Sequence, residues 1–178
     1  MANLPVPVLA SELANNSFTA ALARAGIYNT GTYLLNPPLF VGTQSSTQSV
    51  TSGSWTTLSL NSSQVDSYTG HSNSTNNTRY TAQVPGVYAL CGVAAWASNS
   101  TGVRGTRIHL NGAVIQGSAQ MTLPSTTSGT AVSTPVRTVR LAVGDYIEVA
   151  GWQSSGGSLS TIVASDVACA LWVCWAGS

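Results

Sequence analysis

Charge is what this 178-residue sequence lacks most. Lysine is missing altogether, and six arginines and five acidic residues make only 6% of residues charged, where about 25% is usual. The absence of lysine excludes a Walker-type phosphate loop, Schiff-base chemistry and a lysine base. The net charge is +1 and the arginines are scattered, so we expect neither nucleic acid nor a membrane as a partner, and no cofactor.

Long apolar runs and paired cysteines are also missing. No run approaches the roughly 18 apolar residues of a membrane-spanning helix. The opening segment contains Pro5 and Pro7 and has no basic start, so it is a poor signal peptide. Cys91, Cys169 and Cys174 form an odd number, and each lies among apolar residues. We therefore expect buried free thiols rather than disulfides or metal ligands.

Serine and threonine take the place of charged residues. The chain has 25 Ser and 21 Thr, whereas apolar residues make up 43% and include five Trp. Its length suits one domain with a sizeable core. Because a protein with almost no net charge tends to associate, the composition favours a subunit of an assembly.

Pro37-Pro38 divides the chain into an N-terminal arm, residues 1–38, and a second region, residues 39–178. In the arm, Asn16 or Ser17 can cap a short helix that ends at Gly26. One short helix is not stable alone, so it must dock on the body, on a neighbouring copy or on another protein. The apolar residues that we expect to anchor it are Phe18, Leu22, Ile27, Tyr33, Leu34 and Leu35.

From residue 39 onward, short runs rich in Val, Thr, Trp and Tyr alternate with Gly, Ser and Asn turns, which predicts an all-β sandwich. The clearest signal is Asn111-Gly112 between two apolar runs, because this pair favours a two-residue hairpin turn. We expect Leu110 to pair with Ala113, with both facing the core. On the opposite face of the same hairpin, His109 is expected to face solvent.

Residues 87–97 and 167–175 are apolar at both odd and even positions. A strand of a monomeric antiparallel sandwich normally keeps one polar face toward water. These two runs leave few polar side chains for such a face, so we expect a neighbouring subunit to cover it. The residues predicted at this subunit interface are Val87, Ala89, Leu171, Trp172, Val173 and Trp175.

Candidate sites for chemistry are few. Asp66, His71 and Asn73 carry side chains that bind metals, but the segment lacks a dense carboxylate array, so we expect a hydrogen-bonded loop and no metal. The chain has no Gly-x-Ser-x-Gly elbow, and its acids are too dispersed for a hydrolase pair. We predict a non-enzymatic protein.

Ligand contact is assigned to Trp152 and His71. Trp152 lies beside the polar loop 153–158, and an aromatic face with hydroxyl and amide neighbours suits a glycan. Arginines flank two strands, at Arg104 and Arg107 and again at Arg137 and Arg140. They either form ion pairs that fix the register between subunits or are solvated surface charges.

The order of several motifs resembles the complement C1q and tumour-necrosis-factor-like jelly rolls. The motifs are Arg79-Tyr80, Pro85-Gly86-Val87-Tyr88-Ala89-Leu90, Arg107-Ile-His-Leu-Asn-Gly112, Val139-Arg-Leu-Ala-Val-Gly-Asp-Tyr-Ile-Glu-Val149 and Ala170-Leu-Trp-Val173. The resemblance implies a C1q/TNF-like jelly-roll β-sandwich of about ten strands. It also implies a homotrimer with the last strand near the three-fold axis.

A second set of motifs is similar to small virion proteins of tailed bacteriophages. These motifs are Leu34-Leu-Asn-Pro-Pro38, Trp55-Thr-Thr-Leu58, Asp66, His71-Ser72, Thr78-Arg79 and Trp96-Ala-Ser-Asn-Ser-Thr-Gly-Val-Arg-Gly105. This resemblance implies a virion protein assembled in the bacterial cytoplasm, a trimeric knob that decorates or stabilises the capsid and contacts the major capsid protein. The alternative is a minor tail or receptor-binding protein that contacts host surface glycan.

Overall fold

The computed structural model describes residue 21 and residues 23–177. A π-helical segment, Ala23–Asn29, runs into the short helix α1, Thr30–Leu35. The predicted anchors Phe18 and Leu22 lie outside the described residues. Within the described part, no helix has the length and apolar character needed to cross a membrane.

The predicted helix end at Gly26 is wrong, because helical backbone continues to Leu35. A glycine permits a helix to stop but does not force it to. The helix ends instead before Asn36, whose neighbour Pro37 disfavours helical geometry in the preceding residue.

Fourteen strands follow within residues 39–177. They are β1 Leu39–Thr43, β2 Ser49–Val50, β3 Thr56–Thr57, β4 Ser62–Asp66, β5 Arg79–Thr81, β6 Gly86–Trp96, β7 Arg104–Leu110, β8 Ala113–Val114, β9 Gln120–Thr122, β10 Thr130–Ser133, β11 Arg137–Leu141, β12 Tyr146–Gln153, β13 Leu159–Ser160 and β14 Ala170–Gly177.

Two antiparallel sheets form the predicted sandwich. Sheet I has the order β10-β6-β14-β1-β4, with β11 also on β6, and sheet II has the order β3-β12-β7-β8, with β5 on β12 and β9 on β7. β10 and β11 lie end to end along one edge of β6, as β3 and β5 do along β12. Such pairs explain why there are more strands than the resemblance implies. Pro135 lies at the break between β10 and β11, since it has no N–H for the ladder.

The core lies between the sheets and draws its large side chains from both. Its largest fully buried apolar residues are Trp96, Tyr80, Tyr88, Phe40, Leu58, Leu60, Leu90, Ile108, Leu141, Ile147 and Leu171. Buried and half-buried residues alternate along β6, so Tyr88 and Leu90 face the core while Val87 and Ala89 face away from it.

The same alternation along β14 corrects the predicted subunit interface. Leu171 and Val173 are fully buried inside one chain because they occupy the inward positions of β14. Trp175 lies on their side and packs against the core and against Tyr68 and Val84. Leu171 and Val173 are core residues, and their assignment to the interface is wrong, whereas Trp175 is half-buried. Trp172 points the other way and is 38% exposed.

The cysteines follow their strand positions. No disulfide links them: all three are free. Cys169 is buried in the core, and burial raises the pKa of its thiol to about 11. Cys91 is half-buried, and Cys174 is exposed at an outward position of β14, so the prediction that all three are buried is wrong for Cys174.

The Asn111-Gly112 hairpin is confirmed. Leu110 pairs with Ala113 across a turn in which Asn111 has φ 51° and Gly112 has φ 79°. Two successive positive φ values are what a type I′ turn requires. The expected burial is only partly right: Leu110 is half-buried, whereas Ala113 is exposed because β8 extends past the core.

Candidate functional sites

The outward side of sheet I carries an apolar surface, which we call the apolar face. β1, β14 and β6 pair so that Val41 lies beside Trp172 and Trp172 beside Cys91, and Leu39 lies beside Cys174. The residues of the apolar face are Leu39, Val41, Val65, Val87, Ala89, Cys91, Val93 and Trp172. Each is half-buried or exposed in the single chain. A sheet face made of such side chains is typical of an interface and not of a solvated surface.

A depression of about 380 Å³ opens at one end of the apolar face. Val41, Val93 and Trp172 line it together with Asp166 and the rest of the loop 163–168. The surface is therefore concave at this end, and a convex surface of a partner would fit it.

The described part of the arm also presents apolar side chains to solvent. Ile27, Tyr28 and Leu34 are about two-thirds exposed, and Leu35 is 88% exposed. Tyr33 lies in the same helix α1. Ile27, Tyr28, Leu34 and Leu35 lie outside the core between the sheets, which begins at Phe40. The described part of the arm is therefore an exposed apolar extension of the sandwich.

The outward side of sheet II carries a second surface, the tryptophan patch, made of Trp55, Trp152, Arg107 and Met121. The ring centroids of Trp55 and Trp152 are 6.2 Å apart, and the Arg107 guanidinium lies 4.1 Å from the centroid of the Trp55 ring. Gly105 lies opposite both Trp152 and Met121 in the register of the sheet. A Cβ at Gly105 would come within 3.2 Å of Trp55, so glycine allows the indole to lie close to the strand.

Buried polar residues continue the patch along β7 and β12. Arg107 Nε donates to Nε2 of His109 at 2.8 Å, so this nitrogen of His109 carries a lone pair. Glu148 lies opposite His109, accepts a hydrogen bond from the Thr78 hydroxyl at 2.6 Å and lies 3.7 Å from Arg79 Nε. The prediction that His109 is a surface residue is wrong, because only 8% of it is exposed.

Two electrostatic effects act on His109 in opposite directions. Burial, and then the neighbouring Arg107 guanidinium, lower the pKa of His109, while Glu148 raises it. The net shift is downward, because burial disfavours the charged imidazolium. His109 is thus held as a neutral acceptor for Arg107.

Arg104 resolves one of the open alternatives for the arginines. It is fully buried, and its guanidinium donates to the carbonyl oxygens of Asn99, Thr101 and Val103 at 2.8 to 3.1 Å. Its burial shows that it is not a solvated charge, and it forms no ion pair with any residue that the structure describes. Instead it fixes the loop 99–103, which is also joined to Ser154 by two hydrogen bonds.

His71 is not free to contact a ligand as predicted. Its Nδ1 lies 2.7 Å from the Arg79 carbonyl oxygen and its Nε2 lies 2.7 Å from that of Leu60. The Asp66 carboxylate accepts hydrogen bonds from the backbone N–H groups of Gly70 and His71. Both ring nitrogens and the carboxylate therefore hold the loop together. Among the described residues, no three metal-binding side chains come together.

Solved structures with similar architecture include the globular domain of zebrafish complement 1qA protein, with 14% identity and a TM-score of 0.54 over 76% of this chain and 94% of that chain. Murine APRIL at pH 5.0 is 10% identical with a TM-score of 0.57 over 77% and 98% of the two chains. Eiger TNF from S. frugiperda is 15% identical with a TM-score of 0.53 over 79% and 92%. A scan against protein-family models and a search of the curated proteins found no match.

These likenesses define the class of the fold. The chain forms a C1q/TNF-like jelly-roll domain, as the order of its sequence motifs predicted. At such low identities the comparison concerns architecture alone, because one fold supports many functions.

Proposed function

We propose that this chain is a non-enzymatic structural protein of a tailed bacteriophage virion, built as a homotrimeric knob on the capsid surface. The observation that carries the proposal is the apolar face of sheet I. The bacteriophage context is supported by the sequence motifs described above, and the trimer by the resemblance to C1q and TNF-like domains.

The apolar face supports self-association for a physical reason. Trp172, Leu39 and Val65 are each at least 36% exposed in one chain, and they lie in one contiguous surface. Leaving them in water forfeits about 25 cal/mol for each Å² that a second copy would cover. A typical stable interface buries about 800 Å² per partner, and a closed ring of copies covers every such face.

The interface that we propose differs from the sequence prediction. It keeps Val87, Ala89 and Trp172, leaves out the half-buried Trp175, and replaces the two core residues of β14 by outward residues of neighbouring strands, Val41 and Val93. All five lie on β1, β6 and β14, so the last strand contributes to the interface through Trp172.

The arm supplies the attachment to the particle. The exposed side chains of Ile27, Tyr28, Leu34 and Leu35 need a partner because no element of the sandwich covers them. We propose the major capsid protein as this partner, with assembly in the cytoplasm of the bacterial host and residence in the virion.

Deletion of residues 1–36 tests this function. The truncated chain keeps the entire core and the apolar face, so we expect a folded trimer that is absent from purified particles. The measurement is the amount of this protein in particles assembled with the truncated chain or with the full chain. Normal incorporation of the truncated protein would refute the proposed role of the arm.

A minor tail protein that contacts host surface glycan is the second candidate. The tryptophan patch favours it, because paired indoles beside an arginine form a surface suited to sugars.

A further inference from the structure

We infer that the tryptophan patch binds a saccharide that carries a carboxylate, with Arg107 receiving the carboxylate and Trp152 stacking on the sugar ring. The patch lies on sheet II and the apolar face on sheet I, so the inference goes beyond the structural role proposed above. It gives the glycan candidate a defined site and a defined class of ligand.

Arg107 is held in place before any ligand arrives. Its guanidinium lies over the Trp55 ring at 4.1 Å, and its Nε donates to His109 at 2.8 Å. Within the described residues, no acceptor lies within hydrogen-bond distance of its two terminal nitrogens. Two such nitrogens form a planar fork that matches a carboxylate.

No acid of the described chain neutralises Arg107. Glu148 is the acid in the adjoining strand, and it already accepts from Thr78 and lies beside Arg79. The patch therefore contains a half-buried cation that has an aromatic partner, Trp55, but no acidic partner among the described residues. Charge complementarity favours an anionic ligand.

The two tryptophans of the patch favour a ligand that contains a sugar ring. Trp152 is half-buried beside Trp55, and their tilted pair forms an apolar floor on an otherwise polar sheet face. The C–H face of a sugar packs on such a floor, while its hydroxyl groups need polar neighbours at the rim. The loops 98–103 and 154–158 supply Ser and Asn side chains at this end of the sheet.

The rim is rigid, which reduces the entropic cost of binding. Arg104 holds three carbonyl oxygens of the loop 99–103, and Val103 exchanges hydrogen bonds with Ser154. A Cβ at Gly102 would come within 2.1 Å of the Ser154 carbonyl oxygen, so the two loops are in close contact. A preformed site of this kind favours a small ligand.

A monoanionic carboxylate fits better than a phosphate. Phosphate sites combine several cations or backbone N–H groups, and here Arg104, the neighbouring arginine on β7, is buried and engaged with carbonyl oxygens. A single guanidinium, that of Arg107, lies beside the indoles of Trp55 and Trp152. This arrangement matches a ligand with one carboxylate attached to a sugar ring.

The test is a titration of the full chain, followed by NMR of the tryptophan indole N–H signals. The ligands are N-acetylmuramic acid and N-acetylglucosamine, which share a ring but differ by a lactyl carboxylate. Trp55→Phe and Trp152→Phe assign the two signals of the patch. We expect the acidic sugar to shift both signals at a concentration about tenfold lower than the neutral sugar.

Variants locate the effect. Arg107→Gln should abolish the tenfold preference for the acidic sugar, and Trp152→Ala should weaken binding of both sugars. Arg140→Gln is the matched control, because Arg140 is an exposed arginine on sheet I. A dispersed NMR spectrum for each variant verifies that it is folded.

Three results would overturn the inference. They are equal binding of the two sugars, a preference that survives in Arg107→Gln, and an equal response to acetate alone, which would indicate an ion site without a saccharide. The titration reports on sheet II whatever the oligomeric state. Its failure is therefore distinguishable from failure of the arm-deletion experiment.

Discussion

At the scale of single residues, the charged groups of sheet II lie in two groups that face each other across β7 and β12. Arg107 depends on a neutral His109 as its acceptor, while Glu148 is held by Thr78 and Arg79. Protonation of His109 replaces the lone pair at Nε2 by an N–H, which removes the acceptor and places two cations side by side. The stability of this face therefore depends on pH.

Substitution of His109 by Gln tests this dependence. Because the fold lowers the pKa of His109, the unfolded chain takes up a proton at a higher pH than the folded chain. The contribution of His109 to the free energy of unfolding is present above about pH 6.5 and is lost as the pH falls through the lower folded pKa. In that window the wild type should lose up to about 1.4 kcal/mol per pH unit more than His109→Gln.

Urea unfolding of both proteins between about pH 5 and pH 7.5 measures the difference, because other titrating groups are common to the two proteins. Parallel curves for the wild type and the variant would contradict the assignment of a lowered pKa to His109.

The alternation of the sequence predicted which face of the sheet His109 and Arg104 occupy, but not the groups that they contact. It assigned His109 to the outward face of β7, which is where it lies, but it could not show that Arg107 and Glu148 cover it there. Arg104 shares the parity of the buried Ile108, so an inward position was predictable. The carbonyl oxygens that accept its hydrogen bonds lie in the loop 99–103 immediately before it, and the pattern of side chains does not show how that backbone folds.

At the scale of elements, the hairpin between β7 and β8 shows a local signal that was sufficient. Asn and Gly are the residues that adopt positive φ most readily, so the pair fixed the turn and its register without tertiary information. Strand β4 shows the opposite case. Its sequence, Ser-Ser-Gln-Val-Asp, has no apolar alternation, and it becomes a strand because β1 offers it a free edge.

Gly112→Ala tests the turn. Gly112 has φ 79°, a conformation that costs an L-residue about 1 to 2 kcal/mol. We expect the free energy of unfolding to fall by about that amount in a urea titration. The matched control is Gly157→Ala, because a Cβ at Gly157 would meet open space and its φ is not in the left-handed region. Equal effects of the two substitutions would show that the turn geometry is not the cause.

Strand β14 shows what an element's own sequence leaves open. Apolar residues at both parities made both faces candidates for burial, and the structure of the single chain buries one of them. The pattern could not distinguish the inward Leu171 and Val173 from the outward Trp172, because parity identifies two faces without identifying the core. That choice depends on the position of sheet II.

At the scale of the whole molecule, the low charge and the apolar face both favour association between copies of the chain. A single chain with this surface and a net charge of +1 has little repulsion to keep copies apart. The fold was predictable, because the order of motifs along one chain determines it. The identity of the partner was not, since it depends on the surface of a second molecule.

The apolar face predicts that Trp172→Asp disrupts self-association and leaves the fold intact. Trp172 is 38% exposed at the middle of that face, so a carboxylate there is solvated in a lone chain and desolvated between copies. Light scattering should give the wild type three times the 18.3 kDa mass of one chain, and the variant one. The melting temperature of the wild type should rise with protein concentration, and that of the variant should not.

Leu123→Asp, at a residue that is 77% exposed just after β9 on sheet II, is the control and should remain trimeric. A monomeric wild type, or a trimeric Trp172→Asp, would show that the apolar face does not hold copies of this chain together.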